Sequence, residues 1–252
     1  MKDKLDIPKE LIEILKSANS VAVLTGSGIS AESGVPTFRE AQTGLWAKFD
    51  PTELATPQAF QKDPRLVWQW YTWRRQLVSQ ARPNPAHAAL VQMESFYPDF
   101  TLITQNVDGL HQRAGSDRVI ELHGNITRTK CSVEGTIVDH WDDENGEPPH
   151  CPNCGGLLRP DVVWFGESLP EEALTGAIHA AQNCDLFFSI GTSAIVQPAA
   201  SLPIQALYSG VDVVEVNIEM TPLTSQATYF IPGPAGEVLP TLLRAASITK
   251  RS

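Results

Sequence analysis

The stretch VAVLTGSGISAESGVPTFRE, residues 21–40, runs an apolar segment into a glycine turn and then interrupts the helix that should follow. Val21, Ala22, Val23 and Leu24 lead to Gly26-Ser27-Gly28, with Ala31 at the third small position of a dinucleotide-binding turn. Gly34 and Pro36 then cut the crossover helix short, so a phosphate cradle is followed by a loop that ends in Thr37-Phe38-Arg39.

Outward from this stretch, short β-rich apolar runs recur at 100–104, 119–122, 185–190 and 211–217, as expected of strands buried on both faces of a parallel sheet. Helix-like segments lie between them at 64–81, 85–96, 171–182, 197–209 and 236–246. The alternation predicts an α/β fold, a Rossmann-like parallel sheet with helices on both faces. Residues 36–84 and 125–165 do not fit it, the latter holding cysteines, prolines and acids in place of periodicity. They are read as a small inserted lobe, part helical and part zinc-ribbon-like. The large lobe then takes 1–35, 85–124 and 166–252 of a single domain spanning 1–252.

Composition narrows the function. A chain of 252 residues is long enough to bury one large core, or one core plus a smaller lobe. The net charge of −10 and pI near 5.0 disfavour nucleic acid and anionic membrane as partners, and favour a basic peptide segment. The uncharged run 186–211 is broken by Gln197, Pro198, Pro203 and Gln205, which fits a strand, a turn and a short helix better than a membrane span. Residues 1–20 mix acids and bases around Ile7, Leu11, Ile14 and Leu15, an amphipathic helix and not a signal peptide, so the protein is read as cytoplasmic.

In an open α/β sheet the carboxyl ends of the strands line the ligand crevice. Here they carry Gly26-Ser27-Gly28-Ile29-Ser30, Gln105-Asn106-Val107-Asp108, His123-Gly124, Gly191-Thr192-Ser193 and Asn217. Singly, each has a plainer explanation: a tight turn, a helix cap at Asn106 or Asp108, a buried histidine bonded to a carbonyl. Jointly, so many polar strand ends on one edge point to a bound ligand.

These motifs, in this order, together with TQNVDGLHQRAG (104–115), ELHG (121–124), RPDVVWFGE (159–167) and VEVN (214–217), resemble the sirtuin family of NAD-dependent protein lysine deacylases. The resemblance implies that Gly26, Ser27, Gly28 and Ser30 hold the NAD pyrophosphate, with Glu32 and Arg39 on a covering loop and Phe38 beside the nicotinamide ribose. Ser27 stands where the family usually has alanine. It further implies that Gln105 and Asn106 position the ribose and a water, that Asp108 contacts the nicotinamide carboxamide with Val107 among the cofactor-binding residues, and that His123 is the general base. Gly191, Thr192 and Ser193 are assigned to phosphate or ribose, and Asn217, Ile218, Glu219 and Ala235 to the adenosine end.

In the family the acyl oxygen attacks the anomeric carbon as nicotinamide leaves, a base removes a ribose hydroxyl proton, and water releases lysine and acyl-ADP-ribose. A histidine with a pKa near about 6.5 suits that base. The implied partners are acyl-lysine proteins. The resemblance implies that the segment holding Val162, Val163, Phe165, Gly166 and Glu167 pairs as a strand with the substrate backbone; by itself the segment reads as an ordinary interior strand.

Two departures bear on substrate and metal. Tyr71 and Arg74 lie three apart on one helix face and, with Ala55, resemble the sirtuin subgroup that removes succinyl and malonyl groups, where the pair binds the acyl carboxylate. A solvated or stacked arginine is the alternative. For zinc, Cys151-x-x-Cys154 is a good knuckle, but upstream Cys131 is followed three positions later by Glu134 where a fourth cysteine is expected. Glu134, His140 and His150 are candidates for the fourth ligand, as is a lobe packed without metal; Cys184 reads as core.

Competing activities are a dehydrogenase, an NAD-sensing module or NAD glycohydrolase, and a mono-ADP-ribosyltransferase. Asp50 stands near the distance of a dehydrogenase's ribose-binding acid, but Gly34, Pro36 and Gly44 intervene.

Overall fold

Strand β1 (Ser20–Thr25) is buried along almost its whole length because helices cover both faces of the sheet it centres. The computed structural model describes residues 6–36, 50–141 and 147–248. β1 pairs in parallel with β2 (Asp99–Thr104) on one side and β6 (Leu186–Ile190) on the other. With β3 (Val119–Glu121), β7 (Asp212–Asn217) and β8 (Tyr229–Pro232) the order is β3-β2-β1-β6-β7-β8, every neighbouring pair parallel.

The side chains of β1 alternate between two cores, as a period of two requires. Val21 and Val23 pack with Leu11 and Leu15 of α1 (Lys9–Ser17), Leu90 and Met93 of α6 (Pro85–Phe96), and Leu239 and Leu242 of α10 (Ala235–Ala245). Ala22 and Leu24 pack with Ala177 and Ala181 of α8 (Glu171–Asn183) and Leu202 and Ala206 of α9 (Leu202–Tyr208). Cys184 lies in this second core, as expected.

The five expected strands are found within a residue at either end. β8 was not expected, because of its four residues at a sheet edge only Ile231 is buried, which gives no buried run. The helix expected at 197–209 divides into a 3₁₀ turn at Ala199–Ser201 and α9, which begins with Pro203 in its first turn, where a missing N–H costs nothing.

A second body of structure stands beside the sheet. Three prolines preceded by capping side chains, Asp50-Pro51, Thr56-Pro57 and Asp63-Pro64, start α3 (Pro51–Leu54), α4 (Pro57–Lys62) and α5 (Pro64–Gln80). Against them lies a two-stranded antiparallel sheet of β4 (Gly124–Cys131) and β5 (Leu158–Val162). Phe60, Val67, Trp70, Tyr71, Ile126, Val162 and Trp164 form its core. Arg75 of α5 ties the two parts together, donating to the Ile126 carbonyl at 2.7 Å and to Thr129 Oγ1 at 2.9 Å. The short helices α3 and α4 and the eight-residue β4 were not anticipated. Among the described residues no helix is long and apolar enough to cross a membrane.

Candidate active site

The crevice opens where the strand order reverses, between the carboxyl ends of β1 and β6. Gly26 and Gly28 donate their amides to Ile190 O and Gly191 O at 3.0 and 2.9 Å. A Cβ on Gly26 would stand 2.7 Å from Gly191 O, and one on Gly28 2.7 Å from Gly191 Cα. Gly191, at φ +60°, would bring its own Cβ within 2.6 Å of Ile29 N. These glycines therefore interlock two loops, and their contribution to a phosphate site is space more than free amides. α2 (Gly28–Ala31) stops after four residues and Gly34 follows at φ +77°, the interruption that the sequence indicated.

Behind the glycines sits a buried polar cluster. Asn106 Nδ2 donates to Gly26 O at 3.0 Å and to Ser30 Oγ at 3.2 Å, and Ser30 Oγ donates to Asp108 Oδ2 at 2.7 Å. Asp108 Oδ1 accepts from Leu110 N at 2.9 Å, starting α7 (Leu110–Ala114), so the capping role holds beside any ligand role. Burial raises the Asp108 carboxyl, against the pull of the Leu110 and Ser30 bonds. Val107 is fixed through its carbonyl, which accepts from Ile126 N at 2.8 Å. Asn217 Nδ2 donates to Thr192 O at 2.8 Å, joining the ends of β6 and β7; Ser193 lies beside this contact, and Ile218 and Glu219 are exposed at its rim.

Glu32 accepts from Gly236 N at 2.7 Å, next to Ala235. It thus ties the first loop to the start of α10. Phe38 and Arg39 lie outside the described residues. Asp50 caps α3 through Thr52 N at 2.8 Å and is exposed, engaged in that cap and not shown beside a ribose site.

His123 follows β3 at the other side of the crevice. Its Nδ1 lies 2.9 Å from Gln105 O. A carbonyl only accepts, so Nδ1 carries the proton and Nε2 keeps its lone pair. Burial lowers the His123 pKa, with the Gln105 bond opposing. The His123 carbonyl accepts from Val163 N at 2.9 Å and the Ala55 carbonyl from Phe165 N at 2.9 Å, so segment 163–165 bridges the histidine and the helical body. The strand expected over 162–167 ends at Val162; beyond it a turn forms, with Gly166 at φ +88°. The turn is set by Glu167, whose carboxylate takes Trp164 N at 2.8 Å and is gripped by Arg159 at 2.6 and 2.9 Å.

On α5, Tyr71 is buried and accepts from Trp164 Nε1 at 2.9 Å. Arg74 lies over the Trp70 ring, 5.0 Å from its centroid. Burial lowers the Arg74 pKa, offset by Tyr71 and Asp108 nearby.

The metal candidates also converge. Ligand atoms of Cys131, Glu134, Cys151 and Cys154 all lie within 4.8 Å of one another. The two turns match: Gly135 N donates to Cys131 O at 3.0 Å and Gly155 N to Cys151 O at 2.9 Å, with both glycines at positive φ. Glu134 thus occupies in CSVEG the place of Cys154 in CPNCG. His150 is turned to Gly155 O at 2.8 Å, and neither it nor His140 joins the cluster.

The sequence reading missed a layer beneath the glycine turn. Asn84 donates to Ile29 O at 2.7 Å and Ser33 Oγ at 3.0 Å, while His87 and His111 stack with centroids 4.9 Å apart. His111 Nε2 lies 3.0 Å from Thr25 Oγ1. The one signal was Asn84-Pro85 before an apolar run, a helix start with His87 at the reciprocal capping position.

Comparison with known proteins agrees with this geometry. The Sir2 family profile matches residues 26–198. NAD-dependent protein deacylase 1 of Pseudomonas aeruginosa is 49% identical over 246 residues, covering 94% of this chain and 98% of that one. The NAD-dependent protein deacylase of Aquifex aeolicus is 55% identical over 209 residues, 82% and 87% of the two chains. Among solved structures, a Sir2 homologue in complex with NAD superposes with a TM-score of 0.91 at 44% identity, covering 98% of this chain and 96% of that one. A Sir2 variant with a deacetylated p53 peptide and 3′-O-acetyl ADP-ribose gives 0.85 at 34% identity, covering 96% and 99%. With the six-stranded parallel sheet, the interlocked glycine loops and the family profile over most of its length, the chain belongs to the Sir2 family.

Proposed function

We propose that the protein is an NAD-dependent protein lysine deacylase that prefers succinyl and malonyl groups over acetyl and yields nicotinamide, free lysine and acyl-ADP-ribose. The observation that carries the reading is His123: its proton is committed to Gln105 O and its own carbonyl to the peptide segment at Val163. That leaves Nε2 as a base at the junction of crevice and peptide site.

The residues fit NAD by their chemistry. A floor of glycines admits phosphates, and a buried Asn-Ser-Asp cluster presents an acceptor carboxylate at Asp108. Gly26, Ser27, Gly28 and Ser30 with Gly191, Thr192 and Ser193 would hold the phosphates. Gln105, Asn106, Val107 and Asp108 would hold the nicotinamide half, and Asn217, Ile218, Glu219 and Ala235 the adenosine half. Phe38 and Arg39 belong to the same assignment by sequence alone. Bound NAD supplies an electrophilic anomeric carbon and, as ADP-ribose, the acceptor of the acyl group.

His123 Nε2 takes up a proton during acyl transfer, for which a neutral, half-buried imidazole is suited at pH 7. Lobe 1–35, 85–124 and 166–252 is assigned to the dinucleotide, and 36–84 with 125–165 to acyl group and peptide. Val162, Val163, Phe165 and Gly166 offer main chain to the peptide; Glu167 shapes the turn through Arg159.

Acyl preference rests on Tyr71 and Arg74, a phenol donor and a guanidinium on one face of α5, with buried Ala55 leaving room. A charge-assisted bond to a carboxylate there contributes about 1.5–3 kcal/mol. Zinc is assigned to Cys131, Cys151 and Cys154 with Glu134 as the fourth ligand. The Cys131–Cys154 and Cys151–Glu134 spacings of 3.4 and 4.0 Å are each within about 0.5 Å of a tetrahedral edge, about 3.8 Å for two thiolates and about 3.5 Å for a thiolate with a carboxylate.

Mass analysis of products from NAD with succinyl-, malonyl- and acetyl-lysine peptides tests the proposal. Acyl-ADP-ribose is expected from each, most from the acidic acyl groups, and Arg74→Met should remove that preference. Dominant acetyl turnover, or unchanged desuccinylation by Arg74→Met, contradicts the acyl assignment.

A further inference from the structure

The Tyr71 hydroxyl is buried and engaged on one side only. Trp164 Nε1 donates to its oxygen at 2.9 Å, and no acceptor for the Tyr71 proton stands among the described residues. Burial pushes the Tyr71 pKa up to about 12, so the oxygen keeps its proton at neutral pH. A phenol oxygen that accepts an indole N–H must direct its own proton elsewhere.

Trp164 is itself held firmly. The Arg159 guanidinium lies 3.3 Å from its ring centroid, and Phe60 packs against it with centroids 5.3 Å apart. Arg159 also donates to Val162 O at 2.8 Å and grips Glu167, which in turn takes the Trp164 amide at 2.8 Å. The indole cannot swing from Tyr71 without breaking this set. Arg74, one turn along α5 and stacked over Trp70, interacts electrostatically with Tyr71 and with Asp108, so a cation stands near the uncommitted phenol proton.

We propose that Trp164 is a positioning residue for acyl selectivity: its indole N–H occupies the Tyr71 oxygen and thereby commits the Tyr71 proton to a carboxylate on the acyl chain of the bound lysine. The inference rests on the acyl-carboxylate reading of Tyr71 and Arg74. It adds that selectivity is set from the peptide segment, through a tryptophan that never touches the carboxylate. Arg159 and Glu167 then serve selectivity by holding that indole in place.

Trp164→Phe keeps an aromatic ring for Arg159 and removes the donor together with part of the ring volume. Benzothienylalanine at position 164 removes the donor at the full ring size, and covers the case in which the phenylalanine variant folds poorly. Succinyl- and acetyl-lysine peptides of one sequence are compared by steady-state kinetics with NAD and by calorimetric binding without it. Because both peptides share their main chain, general damage to the peptide segment cancels in the ratio.

The succinyl-to-acetyl ratio of kcat/KM is expected to fall about tenfold in either variant, chiefly through the KM and binding of the succinyl peptide. Adding Trp164→Phe to Tyr71→Phe should lower the ratio no further. If the ratio stays within about twofold of wild type in the position-164 variants while Tyr71→Phe lowers it, the role of Trp164 is overturned and the acyl reading stands. If wild type shows no succinyl preference and neither Tyr71→Phe nor Arg74→Met moves the ratio, the acyl reading falls and this inference with it.

Discussion

His123 is oriented by a carbonyl, not by a carboxylate. A buried aspartate would stabilise the imidazolium and raise its pKa; Gln105 O fixes the tautomer while burial dominates and lowers it. The imidazole is therefore more completely neutral at pH 7 than that of a free histidine. The acid limb of kcat/KM should lie below the ordinary value of 6.5, with activity lost as pH falls through the lowered pKa. A pH–rate profile with its acid midpoint above 6.5 would contradict this. His123→Ala should cost about 10²–10⁴ in kcat while the thermal midpoint changes little. At the same scale Gly191 has no tolerable replacement: φ is +60° and a Cβ meets Ile29 N at 2.6 Å. Gly191→Ala is expected to destabilise by about 1–3 kcal/mol, read as a lower urea midpoint.

Among the elements, β4 and β5 are the pair that a metal would secure. They share few apolar residues with the large cores; Trp68, Cys131, Val138, Cys151 and Leu158 form a small cluster of their own. A carboxylate is a harder, less basic ligand than a thiolate and holds zinc less firmly. Purified protein should contain about one zinc per chain by elemental analysis. Glu134→Ala should lose metal to a chelator faster than wild type and Glu134→Cys more slowly, followed by release into a colorimetric zinc indicator. Equal release from all three would exclude Glu134 as a ligand. The matching turns at Gly135 and Gly155 were present in CSVEG and CPNCG, but that Glu134 reaches the thiols while His140 and His150 do not required the fold of the two turns.

The whole molecule carries two neutral histidines in its core, and their cost is spread over folding. Burial lowers His87 to about 4 and His111 to about 3, against 6.5 when free. The unfolded chain therefore takes up protons first as pH falls. Stability is fully present above 6.5, declines as pH drops from there toward the native values, by about 1.4 kcal/mol per pH unit for each histidine that titrates only in the unfolded state, and levels off below them. His87→Gln should flatten that decline by about this amount, seen in urea unfolding between pH 6.5 and 5. An unchanged slope would mean that His87 is charged in the native state. Because these rings lie under the glycine turn that carries the crevice, acid unfolding and loss of the cofactor site should coincide.

The sequence by itself determined the sheet and the identity of the crevice residues. Continuous apolar runs mark the strands buried on both faces, and glycines, Asn106, Asp108 and His123 follow strands whose carboxyl ends must share an edge. Only the tertiary structure decided how those residues are used. The Gly26 and Gly28 amides face a neighbouring loop, Glu32 binds Gly236, and Glu167 is spent on Arg159. Trp164 bonds Tyr71 across a separation of 93 residues. The reason is physical: local pattern reports burial and backbone preference, whereas a polar side chain's partner is whichever group the packed chain brings within about 3 Å, and that is not encoded in spacing along the sequence.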